Sequence, residues 1–326
     1  MDHASSDLPR VVDPLADALH HLRMDGVFYC RSDLGAPWGL YLPNFDDCLF
    51  FHVVTEGECW LEGPGLEPTL LRQGDLAVLP RAVGHDLRSE PGVSAPNVLD
   101  LPHDFVSEQY AILRHGGDGV RVGLTCGAVR FGHPAAKRLI DALPSLIHLR
   151  HGADAVEWLP ATLGLLAAET RHTKPGGEAV ITRLCDIVVI QAIRSWLQTG
   201  EAERSGWLGA LRDPAIGTAL TMVHRRPDRE WTTAGLAAEV AMSRSAFSAR
   251  FTELVGESVM QYVTTWRMEA ALDLLADPQL TVAEVAARLG YRSEAAFSRA
   301  FKRVIGASPG VARRRQRPDA VSGIAG

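Results

Sequence analysis

The chain has 326 residues, 46% hydrophobic and 22% charged, with a net charge of −6 and an isoelectric point near 6.1. That length is enough for two substantial cores, and no apolar run is long enough to cross a bilayer as a helix, so no membrane partner is expected. Cysteines at 30, 48, 59, 126 and 185 have no Cys-x-x-Cys spacing. Neither a zinc finger nor a thioredoxin-like site is therefore expected, and an odd number of cysteines without a signal peptide points to a reducing cytoplasm.

From Trp38 to about Leu101, apolar runs such as Leu49–Val54, Cys59–Leu61 and Leu76–Leu79 alternate with Gly, Pro, Asp and Glu clusters. Short runs bounded by turn formers read as strands of a small β-sandwich or barrel. A catalytic metal on such a sandwich requires several convergent His and carboxylate ligands. Here His52 and His85 stand singly, with Asp46, Asp86 or a cysteine available to complete a site. The competing reading is that the two histidines hydrogen-bond within the sandwich or line an effector pocket. No metal or other cofactor is expected. Cys30 and Cys126 are expected to flank the sandwich and are the candidates for a redox sensor.

Two helical segments follow, Trp158–Leu166 and Ile181–Ile193, separated by a turn at Lys174-Pro175-Gly176-Gly177. The second is apolar nearly all round, so it must be buried against the sandwich or against another subunit.

The C-terminal part carries an internal repeat. Thr232, Ala234, Ala237 and Ala238 recur 49 positions later as Thr281, Ala283, Ala286 and Ala287, whereas Ser243, Ala246, Phe247, Ser248, Phe251, Gly256 and Ser258 recur 50 positions later. One extra residue in the second copy therefore falls just before its serine, where a turn tolerates it. Each copy reads as a helix, a turn and a second helix capped by that serine, with an apolar face of Phe247, Phe251 and Leu254 in one copy and Phe297, Phe301 and Val304 in the other. Between them, Val259–Ala276 reads as one long helix with Tyr262, Trp266, Ala270, Leu274 and Leu275 in a stripe. Pro278 closes it. Eighteen residues span about 27 Å, close to one turn of DNA.

Charge separates the two parts of the chain. Residues 208–317 hold 16 basic and 11 acidic side chains, leaving 17 basic and 28 acidic for the remainder. A net of +5 joined to a net of −11 is the footprint of a nucleic-acid module beside an acidic partner domain.

The second copy, with Ala283-Glu284-Val285-Ala286, Gly290-Tyr291, Ser293, Phe297–Lys302 and Gly306-Ala307-Ser308-Pro309, resembles the DNA-binding domain of AraC/XylS-type bacterial transcription regulators. Upstream, Phe51–Gly57, Gly74–Pro80 with Gly84-His85, and Thr125–Ala128 resemble the cupin-like sensor domain of one subgroup of that family. The resemblance implies a cytoplasmic, nucleoid-associated, non-enzymatic homodimer that binds double-stranded promoter DNA and works with RNA polymerase as an activator. It implies an α+β chain: a cupin-like sensor over 1–150, a helical linker and dimerisation region over 151–206, an all-α double helix-turn-helix domain over 207–317, and a disordered tail over 318–326. In the first head the exposed N-terminal face of the recognition helix offers Arg244, Ser245, Ser248 and Ala249, the last three matching base-reading positions of the family. In the second it offers Glu294, Ala295, Ala296 and Arg299, with Arg292, Lys302 and Arg303 placed for phosphates. Arg299 is the strongest base reader, because a guanidinium pairs bidentately with guanine. The signal is expected to be a small molecule or a redox change. The alternatives are a metal-dependent cupin enzyme with a DNA-binding appendage, and a constitutive DNA binder whose sandwich is only a scaffold.

Overall fold

A computed structural model describes residues 24–45, 48–81, 83–131, 139–152, 158–171, 176–198 and 206–315. Asp46, Lys174-Pro175 and the tail 318–326 lie outside the described residues. Those that are described fall into two units, 24–198 and 206–315.

The first unit contains strands β1 Met24–Gly35, β2 Gly39–Leu42, β3 Cys48–Glu56, β4 Glu58–Gly63, β5 Leu66–Arg72, β6 Leu76–Leu79, β7 His85–Arg88, β8 His103–Phe105, β9 Tyr110–Gly116, β10 Arg121–Phe131 and β11 Ile147–Leu149. They make a seven-stranded sheet, ordered β11-β6-β3-β10-β1-β9-β8, and a four-stranded sheet, ordered β2-β7-β4-β5. Leu34, Phe50, Val54 and Leu124 of the larger sheet and Leu40, Leu61, Leu71 and Leu87 of the smaller share one buried cluster. The strand region is wider than Trp38–Leu101. Two of its longest strands, β1 and β10, lie beyond those limits and pair with each other over Met24↔Phe131 to Gly35↔Arg121. Arg31, Ser32, Asp33, Gly123 and Thr125 break their apolar pattern, and this hid them from a reading based on hydrophobic runs.

Alternation sends successive side chains of a strand to opposite faces. On the outer face of the larger sheet, the rings of Tyr29 and Phe51 lie 6.4 Å apart over Gly127, where a Cβ would stand 2.3 Å from the Phe51 ring. Two long helices belong to the unit among the described residues, α1 Trp158–Arg171 and α2 Gly177–Gln198. The Tyr29 hydroxyl sits near Thr182, Cys185 and Asp186 of α2. Cys185, Val188, Val189, Ala192 and Ile193 are buried. The apolar pattern of α2 is thus accounted for largely by burial within its own subunit.

The second unit is helical: α3 Gly206–Arg212, α4 Pro214–Arg225, α5 Thr233–Glu239, α6 Arg244–Val255, α7 Val259–Ala276, α8 Val282–Arg288, α9 Glu294–Ile305 and α10 Pro309–Arg315. Side-chain oxygens of Asp213, Thr232, Ser243, Ser258, Thr281 and Ser293 accept from backbone N–H groups in the first turns of α4 to α9. Gly256 and Gly306, in left-handed conformation, end α6 and α9. Phe247, Phe251, Tyr262, Trp266, Phe297 and Phe301 are all buried, which places these aromatics in the core.

Candidate nucleic-acid interface and sensor site

Each head is a short helix, a turn and a second helix. The turn is 240–242 between α5 and Ser243, and 289–292 between α8 and Ser293, so the extra residue of the second copy lies in it. Ala241 (φ 55°) and Gly290 (φ 77°) occupy equivalent left-handed positions. A Cβ on Gly290 would stand 2.3 Å from the Asp228 carbonyl oxygen. Only glycine fits there, whereas Ala241 carries the strain of its conformation.

The N-terminal faces of α6 and α9 are open. Arg244, Ser245, Ala249, Arg292, Glu294, Ala295, Arg299, Lys302 and Arg303 are exposed, and Ser248 and Ala296 are half-buried. Arg292 lies within the longer turn, 3.1 Å from Glu230, with both side chains more than 80% exposed. Such a pair contributes little to stability. Neither Arg244 nor Arg299 is hydrogen-bonded or ion-paired through its side chain to another described residue.

The segment 226–230 ties the heads together. Arg267, in the middle of α7, donates from Nε to the Pro227 carbonyl and from an Nη to the Arg229 carbonyl, both at 2.7 Å, and its guanidinium lies 5.9 Å from the Tyr291 ring. All three contacts lie inside the domain. Arg250 of α6 binds Asp213, the cap of α4, so the first recognition helix is tied to the start of the unit. Arg313 of α10 donates to the Leu280 carbonyl at 2.6 Å, which ties α10 to the turn ahead of α8. The partners of Arg250 and Arg267 stand 37 to 40 residues away and leave no local signal in the sequence.

In the first unit, His52 and His85 meet inside the sandwich with their Nε2 atoms 2.7 Å apart. Burial holds His52 well below the ordinary histidine range and brings His85 down to about 4. The alternation of β7 turns Asp86 away from this pair and onto Arg88, at 2.8 Å. Among the described residues no three His, Cys, Asp or Glu converge as a metal ion requires. Cys30 and Cys126 do not flank the sandwich. They are directly opposed partners on β1 and β10, buried with His52 in the same row. The period of two that aligned His52 with the interior aligned both thiols with it. Burial pushes the Cys30 thiol up to about 11 and the Cys126 thiol well above its usual value. Protonated, enclosed thiols are poor nucleophiles.

Comparison with known proteins agrees with both units. Residues 13–198 match the Cupin family and residues 236–315 the Helix-turn-helix domain family. The chain is similar to an AraC-like transcription regulator of Streptomyces lividans, at 36% identity over 92% of this chain and 97% of that protein. It is similar to another of Streptomyces antibioticus, at 34% identity over 94% of this chain and 100% of that protein. A DNA-bound structure of the AdpA DNA-binding domain is 32% identical, covering 34% of this chain and 99% of that one, with a TM-score of 0.32. The chain belongs to the AraC-type DNA-binding transcription regulators, with a cupin-like domain ahead of its helix-turn-helix region.

Proposed function

We propose that the cupin-like unit binds a small-molecule signal and that binding shifts the population of a two-headed DNA reader toward one promoter affinity. The observation that carries this reading is the pair of open recognition faces on α6 and α9, held at a fixed spacing by α7 and the Arg267 contacts. In this reading Arg299 reads a base, Arg244, Ser245, Ser248, Ala249, Glu294, Ala295 and Ala296 meet base edges or the groove wall, and Arg292, Lys302 and Arg303 meet phosphates. The heads are unequal. Serine and alanine on the first leave its readout to DNA shape, whereas the second reads directly.

The protein acts in the cytoplasm as a homodimer, and its signal alters how RNA polymerase is engaged. Exposed Leu165 on α1 and Val180 and Ile187 on α2 support a dimer through these helices. A redox signal is the second reading, favoured by the direct cross-strand opposition of Cys30 and Cys126. Genome-wide mapping of bound sites with and without candidate inducers tests the proposal, with Arg299→Ala as control. Signal-dependent occupancy is expected. Occupancy that ignores every inducer and oxidant would leave only a constitutive DNA binder.

A further inference from the structure

A cleft of about 430 Å³ opens between the outer face of the larger sheet and α1. Because His52 faces the sandwich interior, Val53 faces outward at the base of the cleft beside Leu163 of α1, both almost fully covered, while Pro160 and Gly164 of α1 form its exposed apolar wall and Thr55, Gln73 and His151 supply its polar rim. The volume lies within the roughly 300–1,000 Å³ of small-molecule pockets.

The rim is built rather than incidental. The His151 backbone N–H donates to Asp75 Oδ1 at 2.8 Å, and its ring lies against Gly74, where a Cβ would stand 2.7 Å from it. The other Asp75 oxygen takes the Arg72 backbone N–H and His148 Nε2, each at 3.0 Å. Asp75 is itself buried, so its charge is spent on holding the rim. Among the described residues, no Asp, Glu, Lys or Arg lines the cleft. A ligand charge of either sign would therefore meet no fixed counter-charge among them.

Gly164 is the second, independent observation. It stands in the middle of α1, where glycine costs about 0.5–1 kcal/mol relative to alanine. Yet a Cβ at Gly164 would meet nothing within 4 Å, so no close backbone approach demands it. Its missing side chain leaves the α1 wall of the cleft open.

We infer that this cleft binds a neutral, mainly apolar small molecule with one hydrogen-bonding end, its body against Pro160 and Gly164 of α1 and its polar end at Thr55, Gln73 or His151. The inference rests on the reading of this unit as a small-molecule sensor and names its site. A ligand seated there touches both the sheet and α1, so it favours one placement of that helix on the sandwich.

The test uses the full-length protein and N-phenyl-1-naphthylamine, a neutral apolar probe whose fluorescence rises out of water. One saturable site per chain is expected. Gly164→Leu fills the cleft and weakens probe binding about tenfold or more, while Gly164→Ala, with too short a side chain, retains it. Both variants melt at or above the wild-type temperature, because each removes a helical glycine, so a loss of binding is not a loss of fold. Full-strength binding in Gly164→Leu, or no saturable binding to the wild type, overturns the site. In either case, inducer-dependent promoter occupancy would show that the sensor reading survives with a different site. Gly164-dependent probe binding combined with signal-blind occupancy would do the reverse.

Discussion

His52 on β3 and His85 on β7 join the two sheets of the sandwich through a single Nε2-to-Nε2 contact of 2.7 Å. The tautomers follow from the neighbours. His85 Nδ1–H donates to the Val83 carbonyl at 3.0 Å, so its Nε2 accepts and His52 Nε2–H donates. The remaining His52 Nδ1 is buried without a hydrogen-bond partner. The arrangement requires both rings to be neutral, since a proton added to either places a charge in an apolar interior.

Acid should therefore loosen the sandwich. His85 folds with a pKa brought down to about 4 and His52 is also held low, whereas in the unfolded chain both take protons near about 6.5. Above that pH neither state is charged and the stabilisation is fully present. As pH falls from about 6.5 toward 4, the unfolded chain gains protons that the folded one refuses. Stability then drops by on the order of 3 kcal/mol for His85 alone. Melting curves of the full-length protein between pH 7.5 and 4.5 should show this decline, and His85→Gln should flatten it. Parallel profiles for the two proteins would contradict the assignment.

The left-handed turn positions of the two heads should respond in opposite directions. Ala241→Gly relieves a φ of 55° and is expected to stabilise the DNA-binding unit by about 0.5–1 kcal/mol. Gly290→Ala drives a methyl group into the Asp228 carbonyl and is expected to cost about 2 kcal/mol or more. Denaturant unfolding of the two variants checks both signs.

Base reading and phosphate contact are separable by salt. Arg299→Ala is expected to cost about 1–3 kcal/mol on the preferred operator and to relax preference at one base position. Lys302→Ala should weaken binding to all sequences and reduce the slope of log affinity against log salt by about 1. Titrations at two or more salt concentrations, on specific and scrambled duplexes, distinguish the two. An Arg299→Ala protein with unchanged sequence preference would remove it from the base readers.

Thiol chemistry should be slow in the native state. All five cysteines are buried, and the thiols of Cys30, Cys59, Cys126 and Cys185 are pushed upward by that burial. A thiol-reactive dye is expected to label the native protein slowly and the denatured protein at once. Rapid native labelling of Cys30 or Cys126 would strengthen the redox reading, and loss of any oxidant response in a Cys30→Ala, Cys126→Ala double variant would tie that response to the pair.

The helical half was legible in the sequence because its signals are local. Caps, terminal glycines and the three- and four-residue spacing of aromatics lie within a turn or two of each other, and α7 runs over Val259–Ala276 as its stripe indicates. The repeat also revealed the two heads and located the extra turn residue. In the other half, β3, β4 and β6 announced themselves as apolar runs. The paired β1 and β10 did not, because their burial comes from neighbours nearly a hundred residues away.

What the sequence determined by itself was the division into a β-rich acidic part and a helical basic part carrying two heads, since composition and short-range periodicity are properties of the chain. Tertiary structure alone decided that Cys30, Cys126 and His52 share one buried row, that Asp86 turns from His85 to Arg88, and that Arg267 clamps the segment 226–230. It also decided that Gly164 opens a cleft wall. Each of these depends on which face of which strand or helix meets another. That is set by register and packing across long separations, and no local pattern of residues encodes it.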